Sequence, residues 1–222
     1  MGQALLLIGG TIVASSDKTD SIFGESITIN GGNIDAKGGE YGGAICASKK
    51  ILITGGNLNL KAYNRWAASA LGGACSDVII QGGTINTYSS QLSGISCKSD
   101  GSINILGGNV LAKGGQFRIA KCTDARYNLE QINATDGTNQ LYLTPIKISD
   151  VTANEKIENL ILNDNIKYDT KDMYTLGNGV DDTGMIYLYL PIGEKNIKLE
   201  INGKTYSGTV KTTEDENITT LE

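Results

Sequence analysis

With 222 residues, 29 glycines, 2 prolines and 40% apolar residues, the chain is long enough for a sizeable core in one or two domains. Its net charge of -5 and the lack of any five-residue basic run exclude a nucleic-acid binder, which needs a positive footprint. No apolar stretch approaches the roughly 20 residues of a membrane-spanning helix, so no membrane insertion is expected of this segment.

At the start of the chain, Ala4–Ile8 is too short for a signal-peptide core and has neither a basic start nor a cleavage site. It reads instead as a strand, the first of five copies of one pattern. Leu5–Thr11 is LLLIGGT, Ile27–Asn33 ITINGGN, Ile51–Asn57 ILITGGN, Val78–Thr84 VIIQGGT and Ile103–Asn109 INILGGN. The first glycines of the pairs, Gly9, Gly31, Gly55, Gly82 and Gly107, are 22, 24, 27 and 25 residues apart. A strand recurring at this period marks a solenoid, whose units bury their apolar faces only by stacking. The expected architecture is all-β. Five coils, starting near residues 5, 27, 51, 78 and 103, build a right-handed parallel β-helix within a domain spanning 1–135. An uncovered first coil would expose strand edge and apolar surface, so Met1 is expected to open a fragment of a longer chain.

Alternation on both sides of each Gly-Gly pair assigns the inward positions. Before it stand Leu5/Leu7, Ile27/Ile29, Ile51/Ile53, Val78/Ile80 and Ile103/Ile105; after it Ile12, Ile34, Leu58, Ile85 and Val110, then Ala14, Ala36, Leu60, Thr87 and Ala112. The glycines themselves are expected to form a corner where coils approach closely. Thr11, Asn33, Asn57, Thr84 and Asn109 should stack just past it. Cys46, Cys97 and Cys122 each lie 15 residues after the first glycine of their coil and Cys75 lies 20 after, which predicts one inward column of four cysteines. Their state is open at this point: free buried thiols, or one or two disulfides at coil spacing. With no His and no CxxC, no metal site is expected.

After Asn128, Gln131–Asn139 (QINATDGTN) reads as a linker. Strands are then expected at Gln140–Ser149, Ile157–Leu162, Met185–Leu190, Asn196–Asn202 and Thr205–Val210, with Asn202-Gly203 the strongest hairpin signal. Their spacing suggests a small, immunoglobulin-like β-sandwich over 136–222. Asp164, Asp169, Asp172, Asp181 and Asp182 lack EF-hand spacing and read as solvated loop charge, and no cofactor is expected.

Function has to be sought on outward positions. Lys37, Lys61, Tyr88 and Lys113 share one offset, six residues past the first glycine. Tyr41, Trp66 and Phe117 follow at ten or eleven residues, with Tyr63, Arg65 and Arg118 beside the last two. Either these are ordinary surface, or they form a corner ladder of amines and aromatic rings. A ladder would suit a polysaccharide or host glycan, whose flat sugar faces lie on rings while Lys and Asn meet hydroxyl or carboxylate groups. Trp66, in the long insertion Lys61–Gly73, would be its centre. No catalytic residue is assigned and no enzymatic activity is expected: Asp35 has no acidic neighbour at its offset in the later coils, as a lyase or glycosidase would require.

The repeats ITINGGNIDAKGGEYGGAI, ILITGGNLNL and INILGGNVLAKGG resemble the glycine-rich β-helix repeats of large secreted bacterial surface proteins, often labelled carbohydrate-binding or pectate-lyase-like. Tyr168–Val210 looks like the small β domain that often follows them. The cysteines depart from the glycine-rich turn of that family. The resemblance implies an extracellular, cell-surface location, a role in adhesion or carbohydrate binding, and other domains in a longer parent chain. The competing expectation is a purely structural stalk.

Overall fold

The computed structural model describes residues 4–63, 69–72, 77–123, 129–153, 155, 157–163 and 180–222, with the backbone alone of 166–168 and 175–176. Among the described residues every regular element is a strand, and there is no helix. The first part of the chain winds into a parallel β-solenoid of about five turns.

The inward columns stack as the alternation requires. On the first face Leu5, Ile27, Ile51, Val78 and Ile103 pair in register, as do Leu7, Ile29, Ile53, Ile80 and Ile105. On the second face the columns are Ile12, Ile34, Leu58, Ile85, Val110 and Ala14, Ala36, Leu60, Thr87, Ala112. From the second coil onward these side chains are buried in one core. Each fully buried Ile, Leu or Val there is worth roughly 1.5–3 kcal/mol.

The Gly-Gly corner has two separate reasons for glycine. The second residue of each pair lies at positive φ, from 83° at Gly10 to 105° at Gly56. In addition, a Cβ on Gly83 would stand 2.6 Å from the carbonyl oxygen of Gly56, and one on Gly32 2.7 Å from that of Gly10. The backbone ladder runs through the corner unbroken, with Asn33, Asn57 and Thr84 each donating from N–H at 2.8 Å to the glycine carbonyl one coil earlier. A side chain here would both strain the turn and push the coils apart.

The third face corrects the cysteine column. Its inward residues are Ile22, Ile45, Leu71, Ile95 and Ile119, in register from coil to coil. Cys46 stands one residue after Ile45, beside Phe23 and Gly72. Cys97 stands two after Ile95, beside Lys121. Cys122 stands three after Ile119, beside Leu129 of an antiparallel strand. The cause is a bend of variable length between the second and third faces: Gly38, Ser89 and Gly114 share one column, yet Ile45, Ile95 and Ile119 follow them by 7, 6 and 5 residues. A constant offset from Gly-Gly therefore lands on three different columns. Cys46 and Cys97 are buried thiols and Cys122 a half-buried one, none of the three in a disulfide, and Cys75 lies outside the described residues. Burial, with Asp77 adding to it, pushes the Cys97 thiol up to about 11, which leaves it protonated and unreactive near neutral pH.

The segment expected to be a linker contains a short strand, Ala134–Thr135, that stacks in parallel on Asn104 as the start of a further level. The chain then reverses into Gln140–Ile148, which pairs antiparallel with Met185–Leu190 and in parallel with Thr219–Leu221. Leu141, Leu143 and Tyr189 close the solenoid core. From Ile146 onward the same strand turns its apolar side to a second core, shared with the sheet of Ile166–Tyr168, Ile157–Leu162, Gly193–Ile201 and Lys204–Thr212. Asn202 and Gly203, at φ 48° and 72°, join the last two as the expected hairpin, with φ positive at both central residues as a type I′ turn requires. The backbone of Thr175–Leu176 returns to the solenoid and pairs with Gly82 and Gly83.

Candidate functional site

The strands after the Gly-Gly pairs, Thr11–Ser15, Asn33–Gly38, Asn57–Ala62, Gly82–Ser89 and Asn109–Gly114, carry the outward residues of the second face. Ser15, Lys37, Lys61, Tyr88 and Lys113 occupy one register column. Neighbours in it lie one strand spacing apart, about 4.8 Å. Because these residues sit inside strands, the ladder runs along a face rather than along a corner. Tyr63, one residue beyond the third strand, folds back onto it. Its ring centroid lies 5.7 Å from that of Tyr88 at 54°, a tilted aromatic pair, and the Lys37 Nζ stands 5.2 Å from the Tyr63 centroid. Tyr63 and Tyr88 remain 51% and 41% exposed, so the pair leaves ring surface open to a ligand.

Beside this column runs a second outward one, Val13, Asp35, Asn59, Asn86 and Leu111. Asn59 donates from Nδ2 to the Asp35 carboxylate at 3.3 Å. This second column holds a single carboxylate, with Val13 and Leu111 at its two ends.

The other expected members stand elsewhere. Tyr41 is exposed in the bend after the second strand, where its N–H donates to the Lys18 carbonyl, and the Glu40 carboxylate beside it raises its hydroxyl pKa. Phe117 pairs with Ser93 on the third face. It lies two residues before Ile119 in its column, whereas Tyr41 lies four before Ile45, so the two rings share no column. Arg118 is not presented outward with the lysines. Its guanidinium meets Glu216 through a fork of two contacts at 2.7 Å and donates to the Ala112 carbonyl at 3.0 Å, joining the solenoid to the C-terminal segment. Arg65 and Trp66 lie outside the described residues.

The sequence reading missed how the last coil is tied to the C-terminal unit. Asn109, the end of the Thr11–Asn33–Asn57–Thr84 column, accepts the Tyr187 N–H at 2.9 Å through Oδ1. The Asp181 carboxylate accepts Thr183 N–H at 2.8 Å, Thr183 O–H at 2.7 Å, Met185 N–H at 2.9 Å and Tyr187 O–H at 2.9 Å. Burial alone would raise its pKa, but these four donors outweigh burial and hold it below the usual carboxylate range. The only signal in the sequence was an Asp-Asp-Thr-Gly turn, which does not reveal a partner as distant as Tyr187. Among the described residues no three His, Cys, Asp or Glu side chains gather as metal ligands. Compared with protein-family models, with curated proteins and with solved structures, the chain matches none of them.

Proposed function

We propose that the chain is a non-enzymatic extracellular module of a bacterial surface protein that binds an extended or anionic glycan along the outer second face. In this reading the solenoid is a right-handed parallel β-helix and the C-terminal unit a small immunoglobulin-like β-sandwich. The observation that carries it is the in-register run Lys37, Lys61, Tyr88 and Lys113, with Tyr63 packed against Tyr88 and under the Lys37 ammonium. Rings flanked by amines at a regular spacing suit a repeating, hydroxyl-rich and negatively charged chain, and half-exposed tyrosines offer flat apolar surface to sugar faces.

A glycan array probed with wild type and with Tyr88→Ala tests it. Wild type binds an extended glycan and Tyr88→Ala loses at least tenfold, because a central aromatic dominates such contacts. Lys37→Ala weakens binding in proportion to ligand charge, and added salt mimics it. A wild type without saturable binding leaves the structural stalk as the function. A polysaccharide lyase or glycosidase stands third, since Asp35 stands between Val13 and Asn59 rather than beside a second carboxylate.

A further inference from the structure

Coil by coil, the outer second face does not present the same chemistry. In the second coil Lys37 is already engaged: its ammonium stands 5.2 Å from the centre of the Tyr63 ring, and Asp35 lies two residues before it on the same outward side. The third coil presents Lys61 beside Asn59, the fourth Tyr88 beside Asn86, and the fifth Lys113 beside Leu111. Among the described residues neither Lys61 nor Lys113 has an acidic partner. These two cations are therefore separated by one whole coil, and what that coil offers between them is an exposed ring and an exposed carboxamide.

Strand spacing turns this order into a length. Successive coils advance about 4.8 Å along the solenoid axis, so Lys61 and Lys113 are rooted about 10 Å apart, two spacings. Lysine stems are flexible, and spacing alone would accept a denser row of anions. The ring between them decides. An aromatic face carries the negative part of the ring quadrupole, so an anionic group laid over Tyr88 would be repelled there and lose hydration. A neutral sugar suits the same place. Its C–H face covers the phenol ring, and its hydroxyls exchange hydrogen bonds with the Asn86 carboxamide, which both donates and accepts.

We infer that this face selects a linear glycan in which acidic and neutral sugars alternate. The glycan runs along the solenoid axis, with carboxylate or sulfate groups on Lys61 and Lys113 and the neutral sugar between them on Tyr88 and Asn86. The inference rests on the glycan reading above and narrows it from any extended or anionic chain to one charge pattern. A chain acidic on every ring would set an anion over Tyr88, and an uncharged chain would leave both ammonium groups without a counterion.

Isothermal titration of the full chain with three hexasaccharides tests it: hyaluronan, whose acidic and neutral sugars alternate, oligogalacturonate, acidic throughout, and chitohexaose, neutral throughout. Hyaluronan binds tighter than either of the others by roughly fivefold or more. Oligogalacturonate carries the greater charge, so a face that sensed charge alone would prefer it. Lys61→Ala and Lys113→Ala each weaken hyaluronan binding roughly threefold, as exposed ion pairs do, whereas Lys50→Ala on the first face does not. Tyr88→Lys, which puts a cation in every coil from the second to the fifth, reverses the order so that oligogalacturonate binds tighter than hyaluronan. The position is exposed, and thermal unfolding of the variant is the control for its fold. No saturable binding by any of the three overturns the inference and the glycan reading together. Hyaluronan binding that both alanine variants leave intact lies off this face and overturns the inference. Oligogalacturonate or chitohexaose binding wild type as tightly as hyaluronan, or a folded Tyr88→Lys variant that keeps the wild-type order, overturns the alternation alone and leaves the glycan reading standing.

Discussion

The two ends of the solenoid carry the same repeat and have different surroundings. At the far end Leu141, Leu143 and Tyr189 cover the last coil, and Ile103, Ile105 and Val110 are fully buried. At the near end the described structure sets no neighbour on the strands Ala4–Leu7 and Thr11–Ser15 beyond the second coil. Leu5, Leu7, Ile12 and Ala14 are only partly buried, and the outward Leu6, Ile8 and Val13 are exposed. The lesson is that an inward position has no fixed energetic value. Stacking sets it, coil by coil, so identical sequence positions should differ in cost according to what lies on each side.

The largest expected effect contrasts two members of one column. Ile53→Ala, in the middle coil, removes a fully buried side chain and should cost about 2–5 kcal/mol, whereas Leu7→Ala at the open end should cost about 1 kcal/mol or less. Chemical denaturation of the two variants measures this, and equal losses would break the comparison.

The glycine corners sharpen it. Gly10 and Gly83 share a positive φ, 83° and 94°, but a Cβ on Gly10 meets nothing within 4 Å while one on Gly83 meets the Gly56 carbonyl at 2.6 Å. Gly10→Ala should therefore show the conformational cost alone, about 1–2 kcal/mol. Gly83→Ala adds overpacking and should reach about 2–5 kcal/mol. If both cost the same, close approach of the coils is not what selects glycine.

A smaller effect has the opposite sign. Thr87 sits in the inward column otherwise made of Ala and Leu, buried, with a hydroxyl that has no partner among the described residues. Thr87→Val should stabilise by about 1 kcal/mol. Thr11→Val, exposed on the open coil, should change stability by no more than about 0.5 kcal/mol.

The smallest effect concerns acid. Asp181 has a folded pKa below its ordinary value, so its contribution is fully present above the unfolded value near ~4 and is lost as pH falls through the lower folded one. Thermal midpoints measured from pH 5 down to pH 2 should fall more steeply for wild type than for Asp181→Asn. Parallel curves would mean that the Asp181 hub does not hold the closed end.

Much of this was legible residue by residue, and the physical reason separates what was from what was not. The five Gly-Gly pairs, the two inward columns on each side of them, the Lys37–Lys61–Tyr88–Lys113 register and the Asn202-Gly203 hairpin all follow from local rules: period-two alternation, glycine at positive φ, and fixed spacing within one coil. Across the next bend that counting lost its footing. The bend takes 7, 6 or 5 residues from coil to coil, so Cys46, Cys97 and Cys122 fell into three columns, and Tyr41 and Phe117 separated.

Sequence alone determined that the chain stacks and which residues face inward near each corner, because those properties are encoded within about ten residues of a glycine pair. Tertiary structure decided the rest. It determined that Gln140–Ile148 serves two cores, that Arg118 reaches Glu216 98 residues away, and that Tyr63 folds onto Tyr88. It also buried the Tyr189 hydroxyl without a hydrogen-bond partner among the described residues. Each of these depends on where distant segments meet, and pairing between distant segments leaves no periodic trace in the chain.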